Sequence, residues 1–391
     1  MLLIKNATIF DAIHEEPFEA DILVEDGKIA RIGQDIAAKG AEVYDAAGLY
    51  AFPGFVEAHS HLGIDGYGIG YEGTDYNEMN DAITPHLRAL DGFKPMQPHI
   101  LQAARAGVTT VCTGPGSANV IGGTFIAVKT VGKRVEDMVI KADAAMKCAF
   151  GENPKRVYRE KGLSTRMTTA AKLREALFKA KEYMQKKEAA GDDASKLPAY
   201  DMKNEALIPV LQGDMPLKAH AHAAEDIFTA LRIAKEFGVK LTLEHVTEGH
   251  LIVGELAQEN VPLAVGPSLT HATKFELRNK TWTTPGILAM AGCDVSIITD
   301  APVIPQQYLA LCAGLAHKAG MDKFKALQAI TINPARHIGI ADRVGSLEAG
   351  KDADIVLTNG CPFDVQTLVK QVYINGNPVD MGQGEEGTAG E

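Results

Sequence analysis

A short apolar stretch near the amino terminus, Pro53 to His61, constrains the fold more than any other part of the sequence. Its side chains alternate as in a buried strand, and a period of two places His59 and His61 on the same face. Two imidazoles one pleat apart can bind a single metal ion. A long loop rich in glycine, tyrosine and aspartate follows, as is typical where a strand opens onto a binding site. The stretch therefore predicts a strand that ends at a metal site.

Three later segments repeat the pattern of a strand that ends in a metal-binding side chain. Helical patterns lie between these strands, and this alternation predicts a parallel sheet with helices outside it. In a barrel of parallel strands all carboxyl ends face one mouth, so side chains far apart in sequence converge there. Imidazoles with a carboxylate and no thiolate suit Zn²⁺ or a similar divalent ion. The candidate ligands are His59, His61, His220, His222, His245 and Asp300.

The amino-acid composition limits which partners the protein can bind and indicates its cellular compartment. The net charge of −11 argues against nucleic acid or an anionic membrane surface as a partner. No apolar run approaches the length of a membrane span, and Lys5 and Asn6 interrupt the apolar first residues, so no signal peptide is expected. The five cysteines are widely spaced in apolar surroundings and predict neither a disulfide framework nor a C-x-x-C metal site. A reducing cytoplasm fits this usage.

Short β patterns begin and end the chain. Near the amino terminus, Asp26 and Gly27 join two such runs as a hairpin turn. Near the carboxyl terminus, two runs centred on Val356 and Tyr373 are β-like again. The last residues, Gly382 to Glu391, are rich in glycine and glutamate, and we expect them to be disordered.

Several of these motifs together resemble the amidohydrolase superfamily of metal-dependent hydrolases. They are H-x-H after Pro53, Gly54 and Phe55, the histidines that end later strands, Thr299 to Pro302, and Gly345 to Val356. The resemblance covers nearly the whole chain and is strongest to the imidazolonepropionase-like members. It implies a (β/α)₈ TIM-like barrel with a small β-sandwich built from both ends of the chain. The expected divisions are residues 1–52 and 343–381 for the sandwich, 53–342 for the barrel and 382–391 for a tail.

The resemblance also implies roles for the ligands. His59 and His61 match the pair that binds the more buried ion, and His222 and His245 match residues that hold a second ion or the substrate. His222 is preferred because Glu225 follows it as in relatives, and His220 on the same face is the alternative. Whether one or two ions bind stays open.

Asp300 matches the aspartate that contacts the metal and acts as the general base. It would take a proton as water attacks a carbonyl or amidine carbon, and would return that proton to the leaving nitrogen.

A bridging ligand and a substrate contact are also predicted. Lys147 lies in an apolar strand pattern, where burial lowers the pKa of an amine. Relatives with two metals use such a lysine as a carbamate bridge, whereas others use a glutamate, and Glu152 is the alternative here. A site without any bridging residue is the third possibility. A mainly basic cluster follows Glu152 and consists of Lys155, Arg156, Tyr158 and Arg166. We expect Arg166 to bind a substrate carboxylate, and a solvated basic stretch is the alternative.

The sequence as a whole predicts a cytoplasmic, metal-dependent hydrolase of a carbon–nitrogen bond in a small molecule, with one or two divalent ions, most favourably Zn²⁺. A cyclic amide or a dipeptide-like amide is the favoured substrate. One alternative is a deaminase of an amino-substituted heterocycle, and another is a non-catalytic scaffold on the same barrel. Expected partners are a small-molecule substrate and further copies of the chain in a homo-oligomer, but neither nucleic acid nor membrane.

Overall fold

The computed structural model describes residues 1–66 and 70–382. Its strands form two sheets of eight strands each. In chain order the strands are β1 (Leu2–Ile9), β2 (Phe18–Glu25), β3 (Lys28–Gly33), β4 (Glu42–Asp45), β5 (Tyr50–Pro53), β6 (Phe55–Ser60), β7 (Val108–Thr113), β8 (Ile121–Lys129), β9 (Val139–Ala149), β10 (Leu217–Ala221), β11 (Leu241–His245), β12 (Leu263–Val265), β13 (Val295–Ile297), β14 (Ile355–Thr358), β15 (Val369–Ile374) and β16 (Asn377–Pro378).

Helices fill most of the intervals between the barrel strands. The described helices are α1 (Ala89–Gly92), α2 (Pro98–Arg105), α3 (Val135–Met138), α4 (Glu152–Val157), α5 (Arg166–Ala190), α6 (Met202–Gln212), α7 (Ala224–Phe237), α8 (Val253–Glu259), α9 (Thr284–Met290), α10 (Leu309–Lys318), α11 (Lys323–Gln328) and α12 (Ile332–Ile338). Within residues 1–66 and 70–382, none of the helices combines the length and the apolar character that crossing a bilayer requires.

The first sheet joins the two ends of the chain, as predicted. Its strand order is β16-β15-β14-β5-β1-β2-β3, and β4 pairs with β1 beside this path. Strand β14 runs antiparallel to β5, with Ile355 opposite Pro53. The predicted turn at Asp26 and Gly27 links β2 to β3, and both residues have the positive φ that this tight hairpin needs. The residue limits of the domains stay predictions, and residues 383–391 of the expected tail lie outside the described residues.

The second sheet is a nearly closed barrel with the order β6-β7-β8-β9-β10-β11-β12-β13, which confirms the predicted fold class. Strands β9 to β13 are parallel to one another, and β6 is parallel to β7. Strand β8, however, is antiparallel to both of its neighbours, whereas the sequence predicted parallel strands here. The reason is the short connection over residues 114–120, because a parallel crossover needs a dozen residues or more.

The gap between the last and the first barrel strands is closed by other groups. The N–H of Ile297 donates to the carbonyl of Ala329, and the N–H of Val56 donates to the carbonyl of Ile330, each at 2.8 Å. The segment after α11 thus serves as a strand-like bridge. Helix α12 follows it and was not predicted from the sequence.

Candidate metal centre

The predicted ligands converge at the carboxyl ends of the barrel strands. His59 and His220 lie within β6 and β10, His61 and His222 follow the same two strands, and His245 ends β11. All five histidines are buried, and the side chain of Asp300 after β13 is 13% exposed. His245 and Asp300 both have positive φ, which non-glycine residues rarely adopt outside functional turns. The turn at each strand end therefore aims its side chain at the barrel mouth.

His59, His61, Asp300 and Lys147 form one group, which we call the β6 group. Oδ1 of Asp300 lies 3.3 Å from Nε2 of His61 and 3.6 Å from Nε2 of His59. Nζ of Lys147 lies 3.2 Å from Nε2 of His59. Two imidazole nitrogens, a carboxylate oxygen and an amine thus face one small volume inside the barrel.

His220, His222 and His245 form a second group, the imidazole triad. Other polar groups contact Nδ1 of each ring: Ser117 Oγ at 2.8 Å from His220, Thr247 Oγ1 at 2.7 Å from His222, and the Gly266 carbonyl at 2.9 Å from His245. These contacts leave Nε2 of each ring facing the group. Fixing one ring nitrogen in this way orients the other toward a metal.

The arrangement fits a divalent metal ion. The ligand atoms of the triad lie within 4.8 Å of one another, and the same holds for His59, His245 and Asp300. Among residues 1–66 and 70–382, Nε2 of His220 and Nε2 of His245 are buried without a hydrogen-bond partner, which is costly unless a ligand satisfies them. Burial lowers the pKa of His220 and His222 well below the usual range and that of His245 to about 4. The rings are therefore neutral at pH 7, the form that binds metal.

Lys147, the predicted bridging residue, lies against His59 of the β6 group. Its side chain is fully buried, and burial lowers the pKa of its amine from 10.5 to about 8. The alternative bridge, Glu152, is the first residue of α4, and its carboxylate faces the backbone N–H of Glu276 at 3.4 Å. The structure thus places Lys147 against His59 and places Glu152 beside the loop that carries Glu276.

Glu244 is a buried partner of the β6 group that the sequence analysis missed. Its Oε2 lies 3.2 Å from Nδ1 of His59, while Lys218 and His337 each contact the same carboxylate at 2.9 Å. Burial alone would raise the pKa of Glu244, but Lys218 and His337 hold it well below its usual value. Its position next to the strand-ending His245 was a signal, since alternation turns Thr242 and Glu244 into the barrel.

Glu276 is a second carboxylate that the sequence analysis missed. It lies in the 3₁₀ turn Phe275–Leu277, and its Oε1 is 3.6 Å from Nε2 of His220 and 3.8 Å from Nε2 of His222. Lys274 pairs with the same oxygen at 2.6 Å. No strand pattern precedes Glu276, so nothing in the sequence indicated that it reaches the histidines.

A cavity of about 460 Å³ opens over both groups and provides room for a small substrate. Its lining includes His61, Tyr76, Arg156, His222 and Lys274. The Tyr76 ring stacks on His61 with ring centroids 5.2 Å apart. Arginine and lysine therefore both reach the mouth of the cavity.

Arg166, the predicted substrate contact, begins α5 and forms an ion pair with Asp226 at 3.0 Å. Its side chain is half exposed. Arg156 from the same basic cluster lines the cavity instead. A role for Arg166 in substrate binding stays a prediction.

Comparison with known proteins places the chain in a family. The sequence profile of the amidohydrolase family matches residues 50–379, which includes every candidate ligand. The chain belongs to the amidohydrolase family. Relatives found in this family are hydrolases that act on carbon–nitrogen bonds, and the family generally uses divalent metals. The resemblance that the strand-end motifs predicted is thereby confirmed.

Two curated relatives of this amidohydrolase indicate the breadth of the family. Amidohydrolase tasK of Hapsidospora irregularis is 30% identical over 388 residues, covering 91% of this chain and 39% of the relative. The present chain thus spans about two fifths of that relative. Imidazolonepropionase of Thermoplasma acidophilum is 24% identical over 364 residues, covering 88% of this chain and 83% of the relative.

A solved structure resembles this amidohydrolase over nearly its whole length. The amidohydrolase from Thermotoga maritima is 44% identical, with a TM-score of 0.94, and the match covers 97% of this chain and 99% of that one. The barrel and the sheet joining the chain ends therefore recur together in a solved relative.

Proposed function

We propose that this amidohydrolase uses metal-activated water to hydrolyse a carbon–nitrogen bond of a small molecule, with a cyclic amide or a dipeptide-like amide as the substrate. The observation that supports this most is the convergence of five buried, metal-competent histidines with Asp300 and Lys147 under one cavity. Most of these rings are held at Nδ1, so Nε2 is the nitrogen presented to a metal. The names of the relatives agree with chemistry on a small molecule.

The residues of the β6 group would hold one ion and the imidazole triad a second. The proposed bridge is Lys147 rather than Glu152, as the carbamate that its neutral amine would form with CO₂ on release of a proton. We favour Zn²⁺, because imidazole nitrogens with a carboxylate oxygen are its usual ligands. When bound, such an ion activates water as a nucleophile and polarises a carbonyl oxygen.

Asp300 is the proposed proton acceptor of the reaction. Burial alone would raise its pKa, but the surrounding imidazoles, His245 foremost, hold the pKa of this carboxyl below its usual range. Asp300 is thus ionised at neutral pH and can take a proton from the attacking water. Its exposed edge faces the cavity, from which it can return that proton to the leaving nitrogen.

Elemental analysis tests the centre directly. The purified protein should hold one or two divalent ions per chain, and the double variant His59→Ala, His61→Ala should lose at least the ion of the β6 group. His317→Ala is the matched control, because His317 lies on α10 and contacts the carbonyl of Met321. Full metal content in the double variant would contradict the proposed site.

A substrate screen tests the reaction. Cyclic amides, dipeptides and amino-substituted heterocycles should be offered to the metal-loaded protein. Turnover of an amide supports the proposal, whereas turnover of the heterocycles alone would identify a deaminase.

A further inference from the structure

Glu276 is a buried carboxylate that faces the imidazole triad from a loop outside the strand-end motifs. Its side chain is 3% exposed, and its Oε1 lies 3.6 and 3.8 Å from Nε2 of His220 and His222. These distances exceed those of hydrogen bonds, which are about 2.7–3.2 Å for nitrogen and oxygen. The carboxylate and the two rings thus face one another without bonding directly.

The spacing is close to that of ligands around one ion. Donor atoms bonded at about 2.0–2.1 Å to a tetrahedral metal lie roughly 3.3 Å from one another. Oε1 of Glu276 is only slightly farther than this from the two nitrogens. The Nε2 atom of His220 has no hydrogen-bond partner in the described structure, so a shared ion would satisfy both sides.

Charge favours the same arrangement. Imidazole rings carry no charge when they bind metal, so apart from the proposed Lys147 carbamate the triad offers a buried divalent ion no negative charge. Glu276 is the carboxylate placed against two of these rings. The same carboxylate pairs with the ammonium of Lys274 at 2.6 Å, as an anion does.

The other contacts of Glu276 hold it in place without using its full bonding capacity. Its Oε2 accepts a hydrogen bond from the N–H of Glu152 at 2.9 Å, and Lys274 contacts Oε1 at 2.6 Å. An ionised carboxylate has about four lone-pair sites, so these two contacts leave room for a metal.

We infer that Glu276 is a ligand of the ion held by the imidazole triad, giving that ion one carboxylate in addition to its histidines. The inference rests on the proposed metal centre. It predicts that the two ions differ in their dependence on Glu276, because the β6 group has its own carboxylate, Asp300.

The test measures binding of Co²⁺ to metal-free protein, by visible absorption and by competition with a chelator. Glu276→Gln should weaken Co²⁺ binding by the imidazole triad at least about tenfold. Loss of a residue that only supports a metal ligand already costs about that much affinity. The site of the β6 group should keep its affinity. Glu248→Gln is the matched control, since Glu248 is equally buried but pairs with Arg278 at 3.0 Å.

The variant Lys274→Met shows whether Glu276 acts as a metal ligand or only as the ion-pair partner of Lys274. If Glu276 is a ligand, removing the ammonium leaves the carboxylate to the ion, and affinity is unchanged or higher. Equal losses in Lys274→Met and Glu276→Gln would show that the ion pair matters and would overturn the inference. Glu276→Gln alone leaves Lys274 without its carboxylate, which could prevent folding. The double variant Lys274→Met, Glu276→Gln removes both charges and avoids this. Its loss of Co²⁺ affinity should equal that of Glu276→Gln.

Two further outcomes distinguish this inference from the proposed function. Two Co²⁺ ions bound with normal affinity by Glu276→Gln would overturn the role of Glu276 and leave the metal centre intact. Absence of metal binding by the wild-type protein would overturn both.

Discussion

Asp300 contacts both histidines of the β6 group, and its replacement separates metal binding from proton transfer. Asp300→Asn keeps the size of the side chain and one oxygen donor, but an amide cannot accept a proton at neutral pH. Metal should stay largely bound through the histidines, while kcat falls by about 10²- to 10⁴-fold, as is typical when a positioned general base is lost. The measurement is kcat of both proteins on the substrate found by screening, with metal content determined alongside. An undiminished rate at normal metal content would remove Asp300 from this role.

The buried imidazoles should make the metal-free protein sensitive to acid. Burial lowers the pKa of His245 from 6.5 to about 4, and it lowers those of His59, His220 and His222 well below 6.5. Between about pH 4 and 6.5 the unfolded chain therefore binds more protons at these residues than the folded protein does. Stability contributed by these histidines is thus lost as the pH falls through this window.

Urea unfolding of the metal-free protein at a series of pH values measures this loss. Glu57 gives a slope of the opposite sign, since burial raises its pKa to about 7. His245→Asn should flatten the dependence, and its comparison with wild type cancels the contribution of Glu57. If the free energy of unfolding of His245→Asn and of the wild type depended on pH in the same way, a lowered pKa of His245 in the folded protein would be contradicted.

Individual residues differ in how far the sequence could predict them. His59 and His61 could be predicted because alternation along a strand fixes their common face, and His245 because the strand ends of a barrel converge. Glu276 could not, because its place depends on how the loop after β12 folds back over the mouth. Alternation along β11 also predicts that Glu244 points into the barrel. Its contact with His59 could not be predicted, because Lys218 and His337 from other elements hold its carboxylate in place.

At the level of whole elements, connection length explains where the predicted barrel differs from the observed one. Strand-helix alternation predicted the parallel run from β9 to β13 correctly. The same pattern was wrong for β8, because the connections on either side of it are too short to return the chain as a parallel strand. Closure of the barrel by the segment around Ile330 was also unpredictable, since that segment has no strand signal of its own.

Glu57 links the first barrel strand to the last one. Oε1 accepts the N–H of His59 at 3.0 Å, and Oε2 accepts the N–H of Thr299, its hydroxyl and the amide of Gln306 at 2.7–2.9 Å. Every one of these partners donates to the carboxylate. The amide of a glutamine at this position would leave at least one buried donor facing another donor.

Glu57→Gln should therefore lower the free energy of unfolding by about 1–3 kcal/mol, the usual cost of an unsatisfied buried polar group. Denaturant unfolding of the metal-free protein measures the change. Glu188→Gln on the exposed face of α5 is the control and should have no measurable effect. Equal free energies of unfolding of the two variants would show that the hydrogen bonds of Glu57 do not stabilise the barrel.

At the scale of the whole molecule, the first sheet makes the two ends of the chain depend on each other. Ile4, Ile9 and Ile22 from the amino-terminal strands share one apolar cluster with Ile355 and Leu357 from β14. A buried ion pair joins this sheet to the barrel, because Lys129 on β8 contacts Asp352 at 3.1 Å and Asp354 at 2.6 Å. The carboxyl-terminal strands alone are too few to bury their own apolar face.

Deleting residues 1–51 tests this dependence. The deletion removes β1 to β4 and the first half of β5, so β14 keeps β15 but loses half of its pairing with β5, and the side chains of Ile355 and Leu357 become exposed. An unpaired edge beside exposed apolar residues promotes association, and we expect the product to aggregate. Ile355→Asp in the full chain places a charge in the same cluster and should aggregate as well, whereas Glu42→Gln at an exposed position of β4 should not. Light scattering after size-exclusion chromatography measures the result, and a monodisperse, fully active truncation would show that the barrel does not need the sheet.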